Sequence, residues 1–138
     1  MSLIHDKIHL SPALFRLVHR VMNGNIYYTT DAMSAAGAPP GKYKLAHMEL
    51  EVGPDQIVRQ PGQTNFAGSA LKPIDGIFRA AEMLNEPWQE VWARSSTVPA
   101  KLVGLVNELQ TGQPANFCSM KFTNARLVEL KSYCGGQE

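Results

Sequence analysis

A chain of 138 residues with a formal net charge of +1 has room for a modest hydrophobic core and carries no charge excess that would select nucleic acid or an acidic partner. No apolar run approaches the roughly 18 residues of a membrane span, and His5, Asp6 and Lys7 interrupt the start before the apolar stretch of a signal peptide develops. Two cysteines, Cys118 and Cys134, make neither a disulfide framework nor a cysteine metal site, so a reduced, cytoplasmic setting is expected.

In chain order, Met1-Ser2-Leu3 allows an added leader, and no convincing strand precedes His9. Ser11 suits a helix N-cap and Pro12 the first helical position. Leu14, Leu17, Val18, Val21 and Met22 then recur at helical spacing, with Arg16 and Arg20 on the other side, which predicts an amphipathic helix ended by Asn23-Gly24. His19 falls within that helix and reads as packing. His5 and His9 are four apart, a spacing that suits a metal on a helix; they precede the helix start and lack a third ligand, so they are not read as a metal site. His9 alone reads as a loop histidine, solvated or bonded to nearby backbone.

Residues 26–29 are β-branched or aromatic and predict a short inner strand. Asp31 falls where that strand runs out, and residues 32–41 are mostly Ala, Gly and Pro, which lets a ligand or another backbone come close. Two readings of Asp31 stand side by side. A carboxylate at the C-terminal end of a parallel strand is where barrel enzymes place catalytic groups, and Asp after a strand also commonly caps the following turn.

Between residues 42 and 52 the period changes to two: Met48, Leu50 and Val52 alternate with Glu49 and Glu51, the carboxylates reading as a solvated strand edge and His47 as equally bland. Gly53-Pro54-Asp55 is a turn and residues 57–59 a returning strand, giving a hairpin at about 43–60. Phe66-Ala67-Gly68-Ser69 leads toward a helix with Pro73 near its start and Ile74, Ile77, Phe78, Ala81 and Leu84 on its buried face. A glycine opening a helix offers N–H groups to an anion or carbonyl, while Ser69 suits a simple cap equally well. Asn85-Glu86-Pro87 begins a helix carrying Trp88, Val91 and Trp92, whose spacing suits core packing. Val98-Pro99-Ala100 starts a short one, residues 104–112 form a linker, and residues 117–122 and 127–133 are strands joined at Asn124, with Gly135-Gly136 as a frayed end.

The words Thr30-Asp31-Ala32-Met33-Ser34-Ala35-Ala36-Gly37-Ala38-Pro39, Gly41-Lys42-Tyr43-Lys44-Leu45 and Phe66-Ala67-Gly68-Ser69 closely resemble the C-terminal part of N-acetylglucosamine-6-phosphate deacetylases of the amidohydrolase superfamily. The resemblance runs from about Asp6 to the end. It implies an α/β fold: residues 1–106 as part of a (β/α)8 barrel and residues 107–138 as strands of the accompanying small β-sandwich, the chain being a C-terminal fragment of much longer relatives.

The activity implied is metal-dependent removal of acetate from N-acetylglucosamine 6-phosphate in amino-sugar catabolism. By resemblance Asp31 is the proton-transferring aspartate, and Ala67, Gly68 and Ser69 line the substrate pocket, with Phe66 where a leucine usually stands. Asp6-Lys7-Ile8-His9 matches an Asp-Gly-x-His word in which the histidine contacts the sugar phosphate, Lys7 replacing the glycine. The divalent ion, zinc or iron, takes a glutamate and two histidines in the family, and no position of this chain matches them. A homo-oligomer is expected, because inner-strand sequence asks for neighbours on both sides. The alternative is a non-catalytic interaction or structural piece that has lost the metal site.

Overall fold

Two short parallel strands open the fold: β1 (Ser2–Ile4) pairs in register with β2 (Tyr27–Thr29), Leu3 opposite Tyr28. Ser2 and Leu3, part of the stretch that allows an added leader, thus pair in a strand, and Leu3 is buried. Between the strands runs α1 (Pro12–Met22), whose N-cap Ser11 accepts the Leu14 N–H and whose C-cap Asn23 takes the left-handed conformation. Its ends are where Ser11-Pro12 and Asn23-Gly24 put them.

The buried face of α1 is another matter. Phe15 is wholly buried, with Val18 and Met22 packed beside it. Leu14, Leu17 and Val21, expected inside, are 44, 56 and 72% exposed. Positions 14, 17 and 21 and positions 15, 18 and 22 are adjacent stripes of one broad apolar arc, and contact with Tyr28 on β2 selects the second stripe.

The expected hairpin is the middle of a four-stranded antiparallel sheet in sequential order: β3 (Gly41–Leu45), β4 (Met48–Val52), β5 (Ile57–Arg59) and β6 (Phe66–Ser69). Leu50, Val52 and Val58 form its buried face with Met33, Ala35 and Ala70. Glu49 and Glu51 are exposed as expected, but β4 is an interior strand and not an edge; they lie opposite Lys44 and Lys42, an arrangement that favours this register.

Helix α2 (Pro73–Leu84) follows, with Lys72 at its N-cap and Asn85 left-handed at its C-cap. Gly76, Ile77, Ala80, Ala81 and Met83 are its buried residues, so Ile77 and Ala81 stand as expected while Ile74, Phe78 and Leu84 are only half-buried. The helix α3 (Trp88–Trp92) buries Val91, sets its two indoles edge to face, and leads into a 3-10 turn, Ala93–Ser95.

The computed structural model describes residues 1–105 and 109–138, and the elements above make up one compact unit, Met1–Ser95. A second, Ser96–Glu138, holds α4 (Thr97–Leu102) and the hairpin of β7 (Phe117–Thr123) and β8 (Arg126–Tyr133), with Phe117 stacked on Tyr133. The boundary expected at 106–107 lies outside the described residues. The end expected to fray is tied down: the Gly136 N–H donates to the Ala115 carbonyl and the Gly135 N–H to Asn116 Oδ1. Among the described residues no helix is long and apolar enough to cross a membrane.

Candidate active site

Where β2 runs out, a cavity of about 690 Å³ opens between residues 31–34, the turn at 60–65 and the start of β6. Thr29 Oγ1 accepts the Asp31 N–H, the Asp31 carbonyl accepts the Ser69 N–H at 2.9 Å, and the Met33 N–H donates to the Ser69 carbonyl at 2.9 Å. This parallel bridge joins the strand end to β6. It requires Gly68 at φ +89, where a side chain is strained. Asp31 itself is left-handed at φ 51, a conformation Asp tolerates better than most residues.

Asp31 is exposed, lines the cavity, and its carboxylate accepts no hydrogen bond among the described residues. The turn-capping reading is thus not realised: the backbone of Asp31 is fully engaged and the side chain is left over. It is also the one ionisable group among the cavity's lining residues.

The end of β1 holds a second cluster. Asp6 is buried, and its Oδ1 accepts the backbone N–H groups of Ile8 and His9 at 2.8 and 2.9 Å while Oδ2 meets His9 Nδ1 at 2.7 Å. Burial pushes the Asp6 carboxyl up, and the hydrogen bonds from the His9 backbone, the His9 ring and the Ile8 backbone outweigh it, so the group is held below its ordinary value. Lys7, which stands where the family word has a glycine, sits at the left-handed φ of 65. The His9 ring meets Phe66 edge-on at 4.9 Å, which places it beside the cavity wall.

His5, one residue earlier, is 1% exposed, stacked on Tyr28 at 4.6 Å, and in contact with the Thr29 carbonyl through Nδ1 at 3.3 Å. That contact assigns its proton to Nδ1 and leaves Nε2 buried with no partner among the described residues. Desolvation lowers its pKa to about 4, and desolvation with the Arg94 charge brings His19 to about 4 as well. Both folded-state values lie below the unfolded value near 6.5. The unfolded chain therefore takes up protons that the folded chain refuses, and stability present above pH 6.5 is lost as pH falls toward 4. The expected slope for His5 approaches about 1.4 kcal/mol per pH unit. Urea unfolding at pH 7, 5.5 and 4.5 checks this, and His5→Gln flattens the dependence.

The structure brings Asp31, Ala67 and Gly68 to the cavity and sets His9 at its border. Ser69 is elsewhere. It is buried, its Oγ accepts the Leu71 N–H at 2.9 Å, and it lines a separate cavity of about 230 Å³ with Asp6 and Arg79. Gly68 lies in a strand and not at a helix opening, so the reading of its N–H as a helix-end donor is corrected. Sequence reasoning passed over Gln60, Gln63 and Asn65, which also line the large cavity. Their signal was the Gln60-Pro61-Gly62-Gln63 turn word directly after a strand.

The donors that the resemblance implies for a divalent ion do not come together among the described residues. Among the described residues no three His, Cys, Asp or Glu side chains gather in a way that could hold a metal ion. His5 is turned to Thr29 and Gly76, His9 Nδ1 is taken by Asp6, and His19 Nε2 lies 3.0 Å from the Tyr28 hydroxyl.

No protein-family model matches the chain. An N-acetylglucosamine-6-phosphate deacetylase from Vibrio furnissii is 28% identical over 137 residues, covering 99% of this chain and 34% of the relative. A shorter relative from Escherichia coli K12, a putative N-acetylgalactosamine-6-phosphate deacetylase, is 27% identical over 99% of this chain and 81% of its own length. The crystal structure of N-acetylglucosamine-6-phosphate deacetylase from Thermotoga maritima matches with a TM-score of 0.78 at 26% identity, covering 99% of this chain and 37% of that one. The chain spans about a third of the length of the first of these relatives. Over nearly all its residues it thus resembles a third of an N-acetylglucosamine-6-phosphate deacetylase.

Proposed function

We propose that this chain supplies the sugar pocket and the proton-transferring carboxylate of an amino-sugar-phosphate deacetylase. The observation that carries the reading is Asp31: a carboxylate at a parallel strand end, free of protein hydrogen bonds among the described residues, and alone in charge within a cavity large enough for a monosaccharide. In amide hydrolysis water adds to the acetyl carbonyl carbon and the C–N bond breaks, giving acetate and a free amine. Asp31 takes the proton from the attacking water and delivers it to the departing nitrogen. His9, oriented by Asp6, offers its other ring nitrogen to the 6-phosphate at the border of the cavity. Lowering the pKa of the attacking water, the part a divalent ion plays in such chemistry, falls outside what the described residues provide.

A non-catalytic scaffold that kept only the fold has no use for an unengaged carboxylate facing a cavity, and this favours the enzymatic reading. The β1–α1–β2 step is the unit that a (β/α)8 barrel repeats. The hairpin β7–β8 takes the place of strands in the small β-sandwich. The exposed, free thiols of Cys118 and Cys134 suit a reducing cytoplasm.

Substituting this chain for the matched third of the Vibrio furnissii relative tests the reading. A soluble chimera that unfolds cooperatively should release acetate from N-acetylglucosamine 6-phosphate. A folded chimera with no acetate release refutes it.

Self-association belongs to the same reading. Among the described residues β2 pairs with β1 alone, and α1 presents Leu14, Leu17 and Val21 to solvent, features that recruit a further chain. Light scattering at tens of micromolar is expected to give a mass of at least twice 15.2 kDa; a monodisperse monomer contradicts it.

A further inference from the structure

We infer that the β5–β6 turn, through the side-chain amides of Gln60, Gln63 and Asn65, reads the hydroxyl groups of the sugar ring and so sets which amino-sugar epimer the pocket prefers. This rests on the deacetylase reading and goes beyond it, since it concerns residues that neither the resemblance nor the proton-transfer chemistry involves.

The turn orders the backbone that carries these groups. Gln60-Pro61-Gly62-Gln63 closes with the Gln63 N–H donating to the Gln60 carbonyl at 3.0 Å, and Gly62 lies at φ +75. Proline at the second position and a positive-φ glycine at the third are the signature of a type II turn, and the proline ring narrows the backbone before any ligand arrives. Gln60 and Gln63 thereby occupy the two fixed corners of the turn, and Asn65 stands just before the β6 strand that carries Phe66, Ala67 and Gly68.

The amides are also unspent. Gln60 Nε2 reaches only the Met48 sulfur at 3.8 Å, and the side chains of Gln63 and Asn65 make no hydrogen bond among the described residues. An amide presents a donor and an acceptor together, which matches a hydroxyl that both gives and takes a hydrogen bond. Beside Asp31 and Ser34, the rest of the wall is largely apolar, from Met33, Leu45, Met48 and Phe66. Such a wall suits the C–H face of a pyranose, and the lack of any cationic lining group leaves the phosphate to lie outside this cavity. Glucosamine and galactosamine differ only in the direction of the C4 hydroxyl, and amides carried on an ordered turn are groups able to tell the two directions apart. A mismatched hydroxyl leaves an amide unpaired, which is the origin of hydrogen-bond selectivity.

The test is calorimetric titration of the 138-residue chain with N-acetylglucosamine 6-phosphate and with N-acetylgalactosamine 6-phosphate, for the parent, Gln63→Met and Asn65→Leu. Each substitution removes the amide and touches an exposed position. Either variant should weaken the preferred sugar by about 3- to 10-fold and change the ratio of the two affinities. Parent affinity and an unchanged ratio in both variants overturn the inference and leave the deacetylase reading standing. A parent chain that binds neither sugar overturns the reading of the pocket, and the inference falls with it.

Discussion

In the chimera that carries this chain, Asp31→Asn is expected to lower kcat by about 100- to 10,000-fold, the range in which positioned general acids and bases act. Asparagine has nearly the same size and tolerates the left-handed backbone that Asp31 adopts at φ 51, so the fold and the affinity for the sugar phosphate should persist. What is lost is the ability to take a proton from water and return it to the amine. Because the carboxylate makes no hydrogen bond among the described residues, its removal breaks nothing structural there. An unchanged melting temperature together with collapsed turnover is therefore the expected pair of results. Turnover within a few-fold of the parent would show that Asp31 is not the proton-transferring group.

The largest expected effect on stability comes from a single methyl group. A Cβ on Gly76 would lie 2.6 Å from Cδ2 and 2.8 Å from Cε1 of the His5 ring, and closer still to Nε2. That ring has little freedom to withdraw, being stacked on Tyr28 and held at the Thr29 carbonyl. Gly76→Ala gains up to about 1 kcal/mol of helix propensity in α2, against an overpacking cost of about 1–3 kcal/mol or more. With the ring so tightly held the cost prevails, and the melting temperature should fall by several degrees. Adding His5→Ala to Gly76→Ala should restore part of the loss, since the methyl then enters the space that the imidazole filled. A Gly76→Ala chain as stable as the parent would mean that His5 can move, and that the strand end at Thr29 is less firmly held than the geometry indicates.

The sequence makes element ends easier to read than element faces. Ser11-Pro12 and Asn23-Gly24 bound α1 because a cap and a left-handed residue are local chemistry, complete within three or four positions. Which stripe of α1 is buried depends on Tyr28 and Ala80 arriving from elsewhere in the chain, and no helical period contains that information. β1 was illegible for a different reason: three residues cannot display a period, and Leu3 becomes core only through its pairing opposite Tyr28.

The site divides along the same line. Asp31 stands out because a carboxylate after an aromatic, β-branched strand is locally marked, while Ala67 and Gly68 are pointed to by the resemblance alone. Asp6 looked like one letter of a family word, yet it is the buried group that holds His9. Gln60, Gln63 and Asn65 read as ordinary loop polarity until the sheet folds their turn over the end of β2. Ser69 sits next to Gly68 in sequence and lines a different cavity, its buried hydroxyl accepting the Leu71 N–H.

The ligand proposed for the cavity at the end of β2 is an acetylated amino-sugar phosphate. Titrating the isotope-labelled 138-residue chain with N-acetylglucosamine 6-phosphate, and following backbone amide resonances, tests this assignment most directly. Saturable shifts should gather at Asp31, Ala32, Gln63, Phe66 and Gly68, with His9 following, and inorganic phosphate alone should leave the first five in place. Shifts gathered instead around Arg16, Arg20 and Arg94, which line another cavity of about 290 Å³, or no saturable shift at all, would contradict it.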